Sequence, residues 1–263
     1  MIFQNIMPSI HQLETTPSGL AQFQLRTGNI NGNLELKCTN FSNSAEELAQ
    51  WISLQSKDSI MDNTEDDRMA IHARNDLKVT FKIFMTKWDV GSLEKAIEAL
   101  KEELKIKDIE TVIVAPPPLL HIDGESEKEK LARWIDLMFP IYSRLAQYIY
   151  YSEVGAIGLA DVSLRQLKKI SKRVAMQPPL VQLHESSHVD PELRAFAEEQ
   201  EVQLLAHVDP VPMPLAGVAH ALTKITRAAG SLQTTLLGRY TVFIRARAVM
   251  ISKGYIAHLE ETH

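Results

Sequence analysis

The 263-residue chain has a single cysteine, Cys38, so no intrachain disulfide can form and a reducing compartment is expected. It also has no basic excess. Its 28 Lys and Arg stand against 33 Asp and Glu, a formal charge of −5 and a pI near 6.0. Nucleic acids and anionic membranes call for a basic footprint, so neither is an expected partner. No apolar run approaches the roughly 20 residues of a membrane span. The first residues, MIFQNIMPSIHQLETTPSG, lack the basic start and apolar block of a secretion signal, which points to a cytoplasmic protein. Also missing are GxGxxG after a strand, GxxxxGK[ST] and GxSxG, the loops that would support nucleotide binding or a hydrolase nucleophile. Hydrophobic residues at 45% and charged residues at 23% place the chain among folded globular proteins.

Along the chain, residues 1–24 read as a poorly ordered lead-in and 25–263 as one domain. FQLRTGN (23–29) has strand character. Residues 42–55 form an expected helix, with Ser44 and Glu47 spaced as a capping box. The acid-rich stretch 56–77 is the least regular. From residue 78, apolar strands alternate with amphipathic helices. The strands are 78–85, 111–115, 154–160, 180–185 and 202–208, and the helices are 92–106, 128–150, 163–174 and 191–201. Ser163 is placed to cap its helix, Pro191 fits a first helical position, and Pro140 is expected to kink or divide its helix. This rhythm predicts repeated β–α units on a parallel sheet. At this length a closed (β/α)8 TIM-type barrel leads over an open doubly wound sheet.

Several residues stand out chemically. His184-Glu185-Ser186-Ser187-His188 spells HExxH, which in zinc hydrolases sets two histidines one helical turn apart. Here a β-like LVQL precedes it and Asp190-Pro191 opens the next helix, so the required helix has no room and no metal is expected. His207 and Asp209 sit where a barrel strand ends and its loop begins, the place where such folds put chemistry. The tail from Arg239 to Lys253 holds four basic residues and no acid. Alternation there sets Phe243, Arg245 and Arg247 against Val242, Ile244 and Ala246. Lys253-Gly254 is expected to turn the chain into a second short strand, Tyr255 to Leu259. Both a solvated strand face and a contact surface for an acidic partner fit this segment. Cys38 follows Lys37, which favours its thiolate modestly.

VGAIGLADVSLRQLKKI (154–170) followed by LVQLHES (180–186) resembles the fifth and sixth strands of aldo-keto reductases. Gln182 matches that family's cofactor-contacting glutamine. Ala160 and Asp161 replace its Ser and Asn, and Glu185 replaces the aromatic that stacks on nicotinamide. The resemblance makes Lys82 a vestige of the reductase tetrad and puts Ala115 in place of the catalytic histidine. No tyrosine precedes Tyr142, so the acid that would protonate the developing alkoxide is missing. An NADP-dependent reductase with an altered site is the rival reading, and the resemblance leaves vestigial NADPH binding open although no cofactor is expected.

Over residues 25–256 the chain is similar to one branch of that fold, the regulatory (modifier) subunits of glutamate–cysteine ligase. The similar stretches include LRTGNINGNLELKC, IETVIVAPPP, PELRAFAEEQEVQLLAHVDP and RYTVFIRARAVMISKGYI. This resemblance implies a non-catalytic partner of the ligase catalytic subunit in glutathione biosynthesis. Regulation would take the form of better use of glutamate and ATP and weaker feedback by glutathione. It makes Arg239, Tyr240, Arg245, Arg247, Lys253 and Tyr255 candidate partner contacts, followed by His207 and Asp209. Cys38 becomes a candidate intersubunit thiol.

Overall fold

Hydrophobic alternation decides the strands. In Leu77–Met85, Leu77, Val79, Phe81, Ile83 and Met85 point into one core, while Lys82 and Phe84 point to the other face. The computed structural model describes residues 10–15, 21–55, 69, 71–185, 189–226 and 231–262. Its strands are β1 (Ile10–Thr15), β2 (Ala21–Arg26), β3 (Leu77–Met85), β4 (Ile109–Ala115), β5 (Val154–Ala160), β6 (Leu180–His184), β7 (Gln203–His207), β8 (Ser231–Ile244) and β9 (Val249–Thr262). Its helices are α1 (Leu34–Lys37), α2 (Ser44–Leu54), α3 (Val90–Leu104), α4 (Glu127–Tyr150), α5 (Leu164–Val174), α6 (Pro191–Glu199) and α7 (Ala216–Thr226).

All nine strands join one sheet in the order β1-β2-β9-β8-β3-β4-β5-β6-β7. The pairings from β3 through β7 are parallel, as the β–α rhythm requires. The pairings from β1 to β3 are antiparallel. The fold is therefore α/β of TIM-barrel type in an open form. β1 and β7 are the outer strands, and the long pair β8–β9 occupies the side next to β3. An incomplete second β–α unit is the expectation for residues 56–77, of which 56–68 and 70 lie outside the described residues. β1 and β2 place residues 10–15 and 21–24 in the sheet, so part of the expected lead-in belongs to the domain.

Two cores sandwich the sheet. The larger lies against α3 to α6 and includes Phe81, Leu100, Met138, Ile157, Leu167 and Tyr240. The second lies on the opposite face under α1, α2 and α7, around Phe23, Leu48, Trp51, Leu222, Tyr255 and Leu259. Ile113, Ala160 and Leu180 make a small cluster on the face of β4 to β6.

Helix ends follow capping chemistry. Ser126 with Glu129 and Ser163 with Gln166 complete capping boxes, which satisfy otherwise orphaned N–H groups. The expected cap at Ser44 shifts by one residue, because the Asn43 side chain accepts from Glu46 N and frees the Ser44 hydroxyl. Pro140 does not divide its helix, since α4 runs through it for 24 residues. The turn expected at Lys253-Gly254 lies instead at residues 245–248, where Ala248 takes a left-handed φ of 50°. Among the described residues no helix is long and apolar enough to cross a membrane.

Candidate functional site

Lys82 at the centre of β3 extends from the face opposite the larger core. Its ammonium donates to Asp209 Oδ2 at 2.9 Å, with both side chains sealed from solvent. Arg239 stands beside Lys82 in register on β8 and donates to both Asp209 oxygens, at 2.9 and 3.1 Å. The Ser44 hydroxyl at the start of α2 donates to Asp209 Oδ1 at 3.0 Å and accepts from Arg239. One carboxylate thus ties β3, β8, α2 and the loop after β7 together. Burial pulls the Lys82 amine below its usual value against the opposing charge of Asp209. Burial pushes the Asp209 carboxyl up, but Arg239 and Lys82 outweigh it and hold that carboxyl below its usual range.

Next along the sheet, Asp161 ends β5 with a left-handed φ of 56°. Its Oδ1 accepts from His184 N at 3.1 Å, and its Oδ2 pairs with His207 Nε2 at 2.9 Å. The His184 and His207 rings meet edge to face, with centroids 5.7 Å apart. His207 Nδ1 and Gln182 Oε1 are buried without a hydrogen-bond partner. Ala115, Asp161 and His207 line a cleft of about 440 Å³ at the carboxyl ends of the parallel strands, where α/β folds place their ligands.

This arrangement gathers Lys82, Asp209, Arg239 and His207 but disperses the other candidates. Tyr240 and Tyr255 are 1% and 0% exposed, so as interface anchors they are corrected. Tyr240 packs in the larger core, and the Tyr255 hydroxyl donates to Glu47. Asp209 and Lys82 are equally interior, which takes Asp209 off the contact surface too. Arg239 points inward through Asp209. Lys253 pairs with Glu47 at 2.5 Å. Arg245, half exposed, pairs with Glu110 at 2.5 Å, and Arg247 lies exposed in the turn. Cys38 is exposed as a free thiol at the end of α1 and takes no part in the buried network. Ser44 and Asp161, which the sequence reading did not select, supply key polar contacts. A strand end followed by a polar residue, and the place of the reductase Asn, were the signals at Asp161.

His184 is the last residue of a strand; Ser186, Ser187 and His188 lie outside the described residues. Among the described residues, no three metal-ligating side chains cluster. Two positions that the resemblance matches to nicotinamide contacts carry carboxylates. The Asp161 oxygens are both engaged, and Glu185, a carboxylate, stands where the resemblance calls for a stacking ring. A described tyrosine beside Lys82 is also missing, its partners being Asp209 and the Phe84 ring, 5.0 Å away.

The fold and this buried charge cluster define an α/β protein of open barrel type in which the buried Lys82 is held by the Asp209 carboxylate. No family model matches the chain. It is similar to curated glutamate–cysteine ligase regulatory subunits. It is 28% identical to the Bos taurus protein over 258 residues, covering 88% of this chain and 90% of that one. Identity to the Mus musculus protein is 26% with the same coverage. To the Homo sapiens protein it is 26% over 191 residues, spanning 70% of this chain and 66% of the human one. Among solved structures, an aldo-keto reductase from Brucella melitensis is similar with a TM-score of 0.43 and 19% identity, over 62% of this chain and 57% of that one. An aldose reductase from Schistosoma japonicum is similar with a TM-score of 0.40 and 16% identity, over 61% and 53%.

Proposed function

We propose that the protein is a non-catalytic regulatory subunit that binds and activates the catalytic subunit of a glutamate–cysteine ligase in the cytoplasm. The sequence likeness to regulatory subunits over nearly the whole chain carries this reading. The engagement of Lys82 with Asp209 and the alanine at position 115 support the absence of reductase chemistry, because neither supplies a proton to a developing alkoxide.

Activation by a partner requires differential affinity. The regulatory subunit must bind the substrate-competent conformation of the catalytic subunit better than the glutathione-inhibited one, since equal affinity shifts nothing. Linkage then requires glutamate to tighten the heterodimer and glutathione to loosen it. Of the basic tail residues, Arg245 and Arg247 at the β8–β9 turn remain on the surface and are the proposed contacts. Cys38 is the proposed intersubunit thiol under oxidation.

Calorimetric titration of the catalytic subunit, with and without glutamate and glutathione, tests the reading. Heterodimer formation that glutamate tightens and glutathione weakens is the expected result. No association, or association without a gain in ligase activity, overturns it. Charge reversal at Arg245 and Arg247 should speed dissociation; unchanged binding by a folded double variant moves the contact to another surface.

A further inference from the structure

The outward face of α5 carries charge of one sign only. Arg165, Lys168, Lys169, Lys172 and Arg173 are all exposed, and the 11 residues of the helix include no acid. Their spacing of i, i+3, i+4, i+7 and i+8 sets all five on one stripe about 12 Å long. Leu164, Leu167 and Ile170 are buried on the opposite side, which fixes the direction in which the stripe points. Without these five cations the chain's formal charge of −5 would double.

Helix stability does not account for the stripe. Like charges one turn apart, as in Arg165 and Lys169, Lys168 and Lys172, or Lys169 and Arg173, weaken a helix. The helix dipole favours Lys172 and Arg173 in the last turn but opposes Arg165 in the first. Solubility needs no single sign either, since α3 and α4 interleave acids and bases and pair Lys101 with Glu98 and Lys130 with Glu127. Arg173 meets Asp136 and lies over the Phe139 ring at 4.3 Å, and Lys168 lies over the Phe196 ring at 5.0 Å. Among the described residues, Arg165, Lys169 and Lys172 have no acidic partner.

Acid lies on both sides of the stripe, Asp136 on α4 and Glu192, Glu198 and Glu199 on α6, whose only base is Arg194. A flat anionic surface such as a membrane would meet these carboxylates as well. The apolar side of α5 is already spent on the core, so it cannot enter lipid as an amphipathic anchor does. A narrow cationic stripe fits a narrow anion, a short acidic run of polypeptide laid along the helix.

We propose that the outer face of α5 is a docking surface for an acidic stretch of the ligase catalytic subunit, additional to the Arg245 and Arg247 turn. The inference rests on the regulatory reading and sets the partner's carboxylates over Arg165, Lys169 and Lys172.

Stopped-flow association of the full chain with the catalytic subunit, at low and at physiological salt, tests it. Arg165→Glu with Lys169→Glu and Lys172→Glu should slow association by about tenfold at low salt and remove most of its salt dependence. The same positions changed to glutamine (R165Q, K169Q, K172Q) remove charge without reversing it and should fall between, with circular dichroism reporting the fold of each. Wild-type association that both variants match in rate and salt dependence overturns the surface and leaves the regulatory reading standing. No association by the wild type overturns both. Vesicles of phosphatidylserine and phosphatidylcholine that bind the wild type and not the variants, with catalytic-subunit association unchanged, would make a membrane the occupant and overturn the assignment.

Discussion

The Lys82 ammonium and the Asp209 carboxylate, 127 positions apart in sequence, meet at 2.9 Å in the interior. Asp209 also holds Arg239, so one anion balances two cations. Removing it strands both. Asp209→Asn should cost about 3–5 kcal/mol, the usual consequence of breaking a buried pair from one side. Lys82→Met leaves Arg239 on Asp209 and removes an amine that burial already disfavours, so it should cost less than about 2 kcal/mol. Urea unfolding of the two variants measures the asymmetry, and equal losses would contradict it.

His258 on β9 is 4% exposed and lies 3.0 Å from the Gln24 amide nitrogen, a geometry that needs a neutral, accepting ring. Burial, with Lys95 and Arg26 adding to it, pulls its pKa down to about 4. The unfolded chain takes up a proton near pH 6.5 that the native state refuses. The stabilisation is therefore complete above that pH and is lost as pH falls toward 4, by roughly 3 kcal/mol. His258→Gln, which keeps an acceptor and cannot titrate, should flatten stability against pH in this window by one proton. Parallel acid profiles of wild type and variant would refute the assignment.

Local pattern made much of the fold legible and long-range pairing hid the rest. The alternation in Leu77–Met85 and the spacing around Ser163 each depend on residues within one element, and both read correctly. The H-x-D-P loop was visible as a strand end. The partners of His207 and Asp209 were not, because Asp161 and Ser44 reach them only through the order of strands and the seat of α2. Four basic residues near the C-terminus suggested a surface. Register with β3 sends Arg239 inward, and glutamates take up Arg245 and Lys253. Charge composition does not reveal which face a strand turns to the core.

Tyr255 donates its hydroxyl to Glu47 with no exposure to solvent. Burial and then the Glu47 charge push the phenol far above its usual value. The native state keeps this proton while the unfolded chain releases it near pH 10, so stability falls as pH rises beyond that point. Tyr255→Phe should lose about 1.5–3 kcal/mol near neutrality, as for a hydrogen bond to a charged group. Its further decline above pH 10 should be shallower than that of wild type. Alkaline unfolding followed by circular dichroism compares the slopes, and identical slopes would show that Tyr255 ionises freely.

Gly254 pairs with Tyr240 across β8 and β9, and its missing side chain is what permits the contact. A Cβ there would lie 2.2 Å from the Gly28 carbonyl oxygen and 2.4 Å from the Tyr240 hydroxyl. The first of these is backbone and is held by the bonds Thr27 and Ile30 make to β9, so no rotamer change relieves the clash. Gly254→Ala should lose more than about 4 kcal/mol or fail to fold. Gly91 in the first turn of α3 is the control. A Cβ there meets nothing closer than the Asp89 carboxylate at 3.5 Å, and Gly91→Ala should be neutral or gain up to about 1 kcal/mol. Thermal unfolding of both variants separates a glycine required for close approach from one that is only permissive. A stable Gly254→Ala protein would mean that the β8–β9 pair sits further from the Gly28 loop.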